Sequence, residues 1–239
     1  MGDRMGIAFE AFGREIYVHD GVVNSLVITA VLCIFAIIAG SKLKNVDPSA
    51  KPTGLQNVLE MFVDGIRGLV TSTMGAGKTR DYLMPYIGTL AVYIACANLV
   101  GLLGFTPPTS DFNVTLALAM ITFVMTQYYG LKTNGLGGYI KGYFEPMAFL
   151  VPLNIIGELA NPVSLSFRLF GNILSGGIIM GLVYGAFSGL GKLGLVLPVI
   201  ITAPLHAYFD LFSGLIQTFI FIMLTMVFVG GNLPENENA

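Results

Sequence analysis

One arginine shows where chemistry could occur. Arg168 stands between two uncharged runs, Leu159 to Phe167 and Leu169 to Gly191. A guanidinium at the centre of a membrane helix costs about 2.5–3.5 kcal/mol on insertion scales. It cannot escape that cost by losing its proton. Such a cation has to face a wet cavity, a partner carboxylate, or both, so its chemistry is electrostatic. Asn154, Gly157, Asn161, Ser164, Arg168, Asn172 and Ser175 recur at steps of three or four, which places them on one stripe of one helix. Small residues packing on neighbouring helices would explain the Gly and Ser of that stripe, but not the arginine.

Few other polar groups lie at membrane depth. On the last hydrophobic run His206, Asp210, Ser213 and Gln217 follow at spacings of four, three and four and share a face. His206 and Asp210 fall on the outer half, and Gln217 falls near the depth of Arg168. Asn172 is one turn from Arg168, and Asp111 marks the outer mouth. Together they outline a polar route from outside to the centre, of the kind that relays protons. Asn154, Glu158, Asn161 and Ser164 lead from Arg168 towards the inner side, and Glu145 reads either as its mouth or as a solvated helix-end residue. Ser166 and Ser213 read as packing residues.

The elements that must position these groups are membrane helices. The chain has 239 residues, 54% hydrophobic and 11% charged, against about 25% charged in soluble proteins. An all-α integral membrane protein is expected, forming a single domain over 1–239 with about five crossings. The net charge of −2 gives no basic field for nucleic acid. Cys33 and Cys96 lie in apolar runs and read as small buried hydrophobes, not a disulfide framework. No metal site or cofactor is expected.

Residues 1–20 are polar and mixed in charge and read as an external segment. The run 21–41 is a retained first span, since no basic n-region precedes it. Residues 53–72 alternate apolar and charged faces at helical spacing, as an amphipathic helix on the inner surface does. TMGAGKT, at 73–79, lacks the first glycine of a phosphate-binding loop because Ser72 stands there, and reads as a flexible cytoplasmic loop. Residues 82–131 form a helical pair around the Pro-rich turn FTPPTSD, and 134–142 is a Gly-rich loop. Residues 145–231 hold two overlong apolar runs, a tilted hairpin with a break candidate at Gly176–Gly177 and a turn at 188–192. Residues 232–239 are a cytoplasmic tail. In this topology Lys42, Lys44, Lys51, Arg67, Lys78, Arg80, Lys132 and Lys141 lie inside, whereas Arg4, Arg14 and Lys192 lie outside. That bias places the N-terminus outside and the C-terminus in the cytoplasm.

PVSLSFRLFGN, which contains Arg168, resembles the signature of subunit a of the F-type ATP synthase. DFNVTLALA at 111–119 and IQTFIFIMLT at 216–225 agree with it, and the resemblance covers roughly 82–231. It implies a stator that cradles the c-subunit ring in its C-terminal hairpin. Two offset half-channels would carry H+ or Na+ to and from the ring carboxylates, coupling ion flow to rotation and ATP synthesis. Arg168 would be the essential ion-coupling residue, in a chain that binds no nucleotide itself. The implied partners are the c-ring, the peripheral-stalk b subunits, the remaining synthase subunits and the lipid bilayer. The implied location is the plasma membrane of a bacterium. One position departs from the family pattern: many members carry an ionisable residue nine positions after the arginine, and Gly177 stands there. Asp210, seven residues before Gln217, is then the carboxylate left to serve the outer side.

A stand-alone secondary transporter with Arg168 as an anionic-substrate site is the rival reading. Such folds show internal repeats with broken helices in matching halves. Here the long polar hairpin occurs once. A membrane scaffold without transport would leave Arg168 and Asp210 at depth unexplained.

Overall fold

The computed structural model describes residues 6–11, 14–44, 54–187 and 193–234. A two-stranded antiparallel ribbon, β1 (Gly6–Ala11) and β2 (Arg14–His19), opens the chain, with Gly6 opposite His19 and Ala11 opposite Arg14. The polar external segment expected over 1–20 includes no predicted strand; its residues 6–11 and 14–19 are this ribbon. Ile16, Tyr17 and Val18 are strand-favouring residues that pair readily across a short reversal.

The rest is helical. α1 (Asp20–Leu43) follows the ribbon directly. α2 (Leu55–Met74) and α3 (Lys78–Leu99) are separated only by Gly75–Gly77, with Gly75 at φ 80°. The loop expected at 73–79 is therefore a tight turn. Arg80 is buried beneath it and donates to the carbonyl oxygens of Met74, Ala76 and Pro234, tying the end of α2 to the last described residue. Cationic groups are favoured at a helix C-terminus, where carbonyls lack intrahelical partners. Two short 3-10 turns, Val100–Leu103 and Pro108–Ser110, lead to α4 (Phe112–Tyr143).

α4 is not a span followed by a loop. Gly135 interrupts it at φ 67°, ψ 166°, a conformation that suits glycine, and helix resumes beyond it to Tyr143. The Gly-rich loop expected at 134–142 is thus a folded-back helical end. In an unbroken helix Gln127 and Tyr139 would sit about 18 Å apart along the axis, yet their side chains hydrogen-bond. A Cβ on Gly130 would lie 2.8 Å from the Tyr139 ring, so the returning ring rests against backbone that only glycine leaves open.

α5 (Val151–Phe187) runs 37 residues without a break, straight through Gly176–Gly177. At 1.5 Å per residue that is about 55 Å, nearly twice the hydrocarbon thickness, so α5 must lie steeply inclined in a bilayer. α6 (Leu193–His206) passes through a π-helical segment, Ala207–Ser213, into α7 (Gly214–Gly230). The turn expected at 188–192 lies outside the described residues. Among the described residues, five helical stretches are long and apolar enough to cross a membrane: 20–43, 78–103, 112–143, 148–187 and 200–230. Large apolar side chains such as Leu26, Ile37, Leu153 and Leu182 point outward, as lipid contact requires.

The core lies where α3, α5 and α7 meet, around Ile87, Ile94, Leu165, Leu169, Phe221 and Met226. Hydrogen bonds join the helices there, as is usual where lipid leaves no hydrophobic drive between them. Asn98 Nδ2 donates to the Gly214 carbonyl at 3.0 Å and to Thr218 Oγ1 at 3.3 Å, and its Oδ1 accepts from Thr109 at 2.9 Å. Thr122 and Thr225 join α4 to α7 at 3.2 Å. α2 buries Ile66, Val70 and Met74 against this body and leaves its charged face, with Asp64 and Arg67, exposed. α1 stands at the margin, held to α3 by a 2.7 Å bond between Ser25 and Tyr93. Cys33 is exposed on α1 and Cys96 only half-buried, which corrects the reading of both as buried.

Candidate functional site

Arg168 projects from the middle of α5. Its neighbours Leu165, Ser166 and Leu169 are buried in the core, and Arg168 itself is exposed. Among the described residues it forms no ion pair and no hydrogen bond. α5 therefore packs one face into this chain and presents the guanidinium on another. Ser164 and Ser175 are exposed on the same helix.

One turn further along, Asn172 accepts a hydrogen bond through Oδ1 from Ser213 Oγ of the π-helical segment. At its start His206 Nδ1, at the end of α6, lies 2.5 Å from Asp210 Oδ2 of the segment, with both side chains partly exposed. π-helical turns insert one extra residue and recur at functional sites because they re-aim side chains. Here Asp210 pairs with His206 four residues before it, and Ser213 turns to α5. Gly176 makes the approach possible, because a Cβ there would lie 3.2 Å from Phe209 Cβ. Gly177 is exposed, with open space where a side chain would go.

Gln217 is buried in α7, and its Nε2 has no partner among the described residues; the same holds for Asn172 Nδ2. Asp111 sits apart from this group. It caps α4 by accepting from the Asn113 backbone N–H at 2.8 Å, and its Oδ2 lies 3.4 Å from His19 Nδ1. The outer candidates are therefore gathered in part. Asn172, His206 and Asp210 meet around the π segment, whereas Asp111 lies at the ribbon end and bonds to none of them among the described residues.

At the opposite end of α5 the inner candidates line two adjoining spaces. A cavity of about 520 Å³ is bordered by Glu145, Asn154, Glu158, Tyr139 and Asn232. A second space of about 10 Å³, room for about one water, lies deeper between Glu158, Asn161 and Pro162 of α5 and Thr122 and Thr126 of α4. Glu158 borders both. Asn154 Nδ2 donates to the carbonyl oxygens of Tyr143 at 2.8 Å and Glu145 at 3.2 Å, fixing the start of α5 against the end of α4. Glu158 Oε1 lies 3.1 Å from Tyr139 Oη. Ser164 borders neither space.

A family model for the ATP synthase A chain matches residues 22–230. The chain belongs to the ATP synthase A chain family. ATP synthase subunit a of Priestia megaterium is 40% identical over 225 residues, covering 90% of this chain and 92% of that protein. The subunit a of Aliarcobacter butzleri is 41% identical over 214 residues, 87% and 86% of the two chains. A protein named ATP synthase subunit a, sodium ion specific, from Propionigenium modestum, is 38% identical over 196 residues, 74% of this chain and 64% of that one. The match to subunit a sequences thus extends well before residue 82, where the resemblance of motifs begins.

Three participants escape a reading of the sequence. Ser213, read as packing, bonds across helices to Asn172. Tyr139 and Gln127 join Glu158 through a fold-back whose only local signal is the glycine run after Asn134.

Proposed function

We propose that this chain is the ion-conducting stator of a rotary ATP synthase. The observation that carries this reading is Arg168: a permanent cation at mid-helix, turned outward and unpaired among the described residues, with polar groups on either side of it along its helix. A lipid-facing guanidinium is costly, so its counterpart belongs to another chain. The c-ring carboxylates have the chemistry to meet it. A carboxyl group arriving neutral from lipid has its pKa lowered beside Arg168 and releases its ion.

Two half-channels then serve the ring. The outer one runs by Asp111, His206, Asp210, Asn172 and Gln217; the buried amide N–H groups of Asn172 and Gln217 suit a file of water, since buried donors call for partners. The inner one runs by Glu145, Asn154, Glu158, Asn161 and Ser164. Arg168 separates them, so an ion crosses only by riding the ring. The coupling ion is H+ or Na+. The chain binds no nucleotide, and the peripheral-stalk b subunits hold it against the turning ring. The cationic ends, with Lys42, Lys44, Arg67, Lys78, Lys132 and Lys141, face the cytoplasm of a bacterial cell, and the ribbon faces outward.

Reconstitution tests this reading. The chain alone in vesicles is expected to pass neither H+ nor Na+, and the chain with its c-ring is expected to conduct when the catalytic sector is removed. Solute or ion transport by the chain alone would favour the stand-alone transporter.

A further inference from the structure

We propose that Tyr139 is a positioning residue of the inner route, holding the Glu158 carboxylate at the junction between the 520 Å³ cavity and the 10 Å³ space beyond it. The proposal rests on the half-channel reading above and adds a residue that the arginine stripe does not contain.

The hydrogen-bond arithmetic supports it. Tyr139 Oη is in reach of Gln127 Oε1, of Tyr143 Oη at 2.9 Å and of Glu158 Oε1 at 3.1 Å. A phenol has one proton, so it cannot donate to both the amide oxygen and the carboxylate. Gln127 Nε2, meanwhile, is buried and has no partner among the described residues. Rotating the Gln127 amide by half a turn resolves both conflicts. Its Nε2–H then donates to Tyr139 Oη, and the phenol proton is released to Glu158. The chain of donors runs Gln127 to Tyr139 to Glu158 and ends on a carboxylate, where a charge-assisted bond is strongest. Glu158 is fixed on the side facing α4 and turns its other oxygen to the passage.

The backbone is arranged around this contact. Gly135 reverses the end of α4 at φ 67°, Gly130 clears room for the ring, and Asn154 ties the Tyr143 carbonyl to α5. A ring serving only to fill space would not require its hydroxyl to converge with three other polar groups. No ion passes through Tyr139 in this scheme; it sets where Glu158 stands.

The test uses membrane vesicles carrying the assembled synthase. Tyr139→Phe keeps the ring against Gly130 and removes only the hydroxyl. ATP-driven ion pumping is expected to fall about 10-fold, the worth of one hydrogen bond to a charged group. Glu158→Gln is expected to slow pumping as well, and the double variant to match Glu158→Gln alone, because Tyr139 acts only through Glu158. The infrared carboxylate band that vanishes in Glu158→Gln is expected to shift in Tyr139→Phe. Wild-type pumping in Tyr139→Phe, an unshifted band, or losses that multiply in the double variant would overturn the proposal. If Tyr139→Phe assembles poorly, Gln127→Leu serves instead: slower pumping is expected with Glu158 present and no further loss with Glu158→Gln, and any other pattern overturns it. Normal pumping in Glu158→Gln would remove the inner route itself, whereas a slow Glu158→Gln beside a normal Tyr139→Phe would remove the role of Tyr139 alone.

Discussion

Ser213, on the π-helical segment of the last helix, donates a hydrogen bond to Asn172 of α5, one turn beyond Arg168. That bond joins the helix bearing the cation to the segment bearing Asp210, which pairs with His206 at the end of α6. It brings the segment with the Asp210 carboxylate beside the arginine helix, while the space beside Gly177 on α5 is open.

Asp210 is accordingly expected to carry the outer route. Asp210→Asn should slow ATP-driven pumping in vesicles by about 100-fold or more, the scale of losing one positioned proton-transfer group. ATP hydrolysis by the detached catalytic sector should be unaffected. Gly177→Glu should restore part of the rate in that background, because a Cβ at Gly177 meets nothing within 4 Å. Unchanged pumping in Asp210→Asn would make the His206–Asp210 pair a structural one.

α2 should lie on the inner surface with Asp64 in water. Asp64→Cys, in a background with Cys33 and Cys96 replaced by serine, is expected to react with an impermeant thiol reagent from the cytoplasmic side only. Asp64 is three-quarters exposed, so access is limited by the membrane alone. Labelling from outside would reverse the topology from Lys42 onward.

Asn98 is 1% exposed and bonds to Thr109, Gly214 and Thr218. Asn98→Ala should destabilise the detergent-solubilised chain by about 1–2 kcal/mol, the upper range for a polar group joining membrane helices. Thermal unfolding followed by circular dichroism measures it. An unchanged midpoint would mean that α3 and α7 are held by packing alone.

What could be read from the sequence divides along physical lines. The arginine stripe was legible because charge in an apolar run has few explanations, and α5 keeps that stripe on one unbroken helix. The amphipathic face of α2 was legible because Leu59, Phe62, Ile66 and Val70 recur at helical spacing, and Ile66 and Val70 are buried; the extension of the helix to Met74 was not. The fold-back after Gly135 was not, because the contact that accompanies it joins Tyr139 to Glu158, nineteen residues further on. GLGGYIKGY in isolation favours a loop. The π-helical segment carries no local signal in AYFDLFS either; the contacts of Phe209 with Gly176 and of Ser213 with Asn172 accompany its shape. The ribbon was overlooked because charges at Glu10, Arg14 and Glu15 masked its strand-forming residues.

The central claim is that the exposed charge of Arg168 both discharges the arriving ring carboxylate and keeps the two routes apart. Arg168→Lys retains a charge but loses the planar, always-protonated group, and is expected to abolish coupled synthesis. The most direct measurement is ion flux into vesicles carrying Arg168→Ala, stripped of the catalytic sector, under an imposed potential with and without a c-ring inhibitor. The account predicts no ATP synthesis in the intact variant complex and an inhibitor-sensitive passive leak in the stripped vesicles. Normal ATP synthesis by the Arg168→Ala complex would contradict it outright, and lost synthesis without the leak would contradict the barrier role of Arg168.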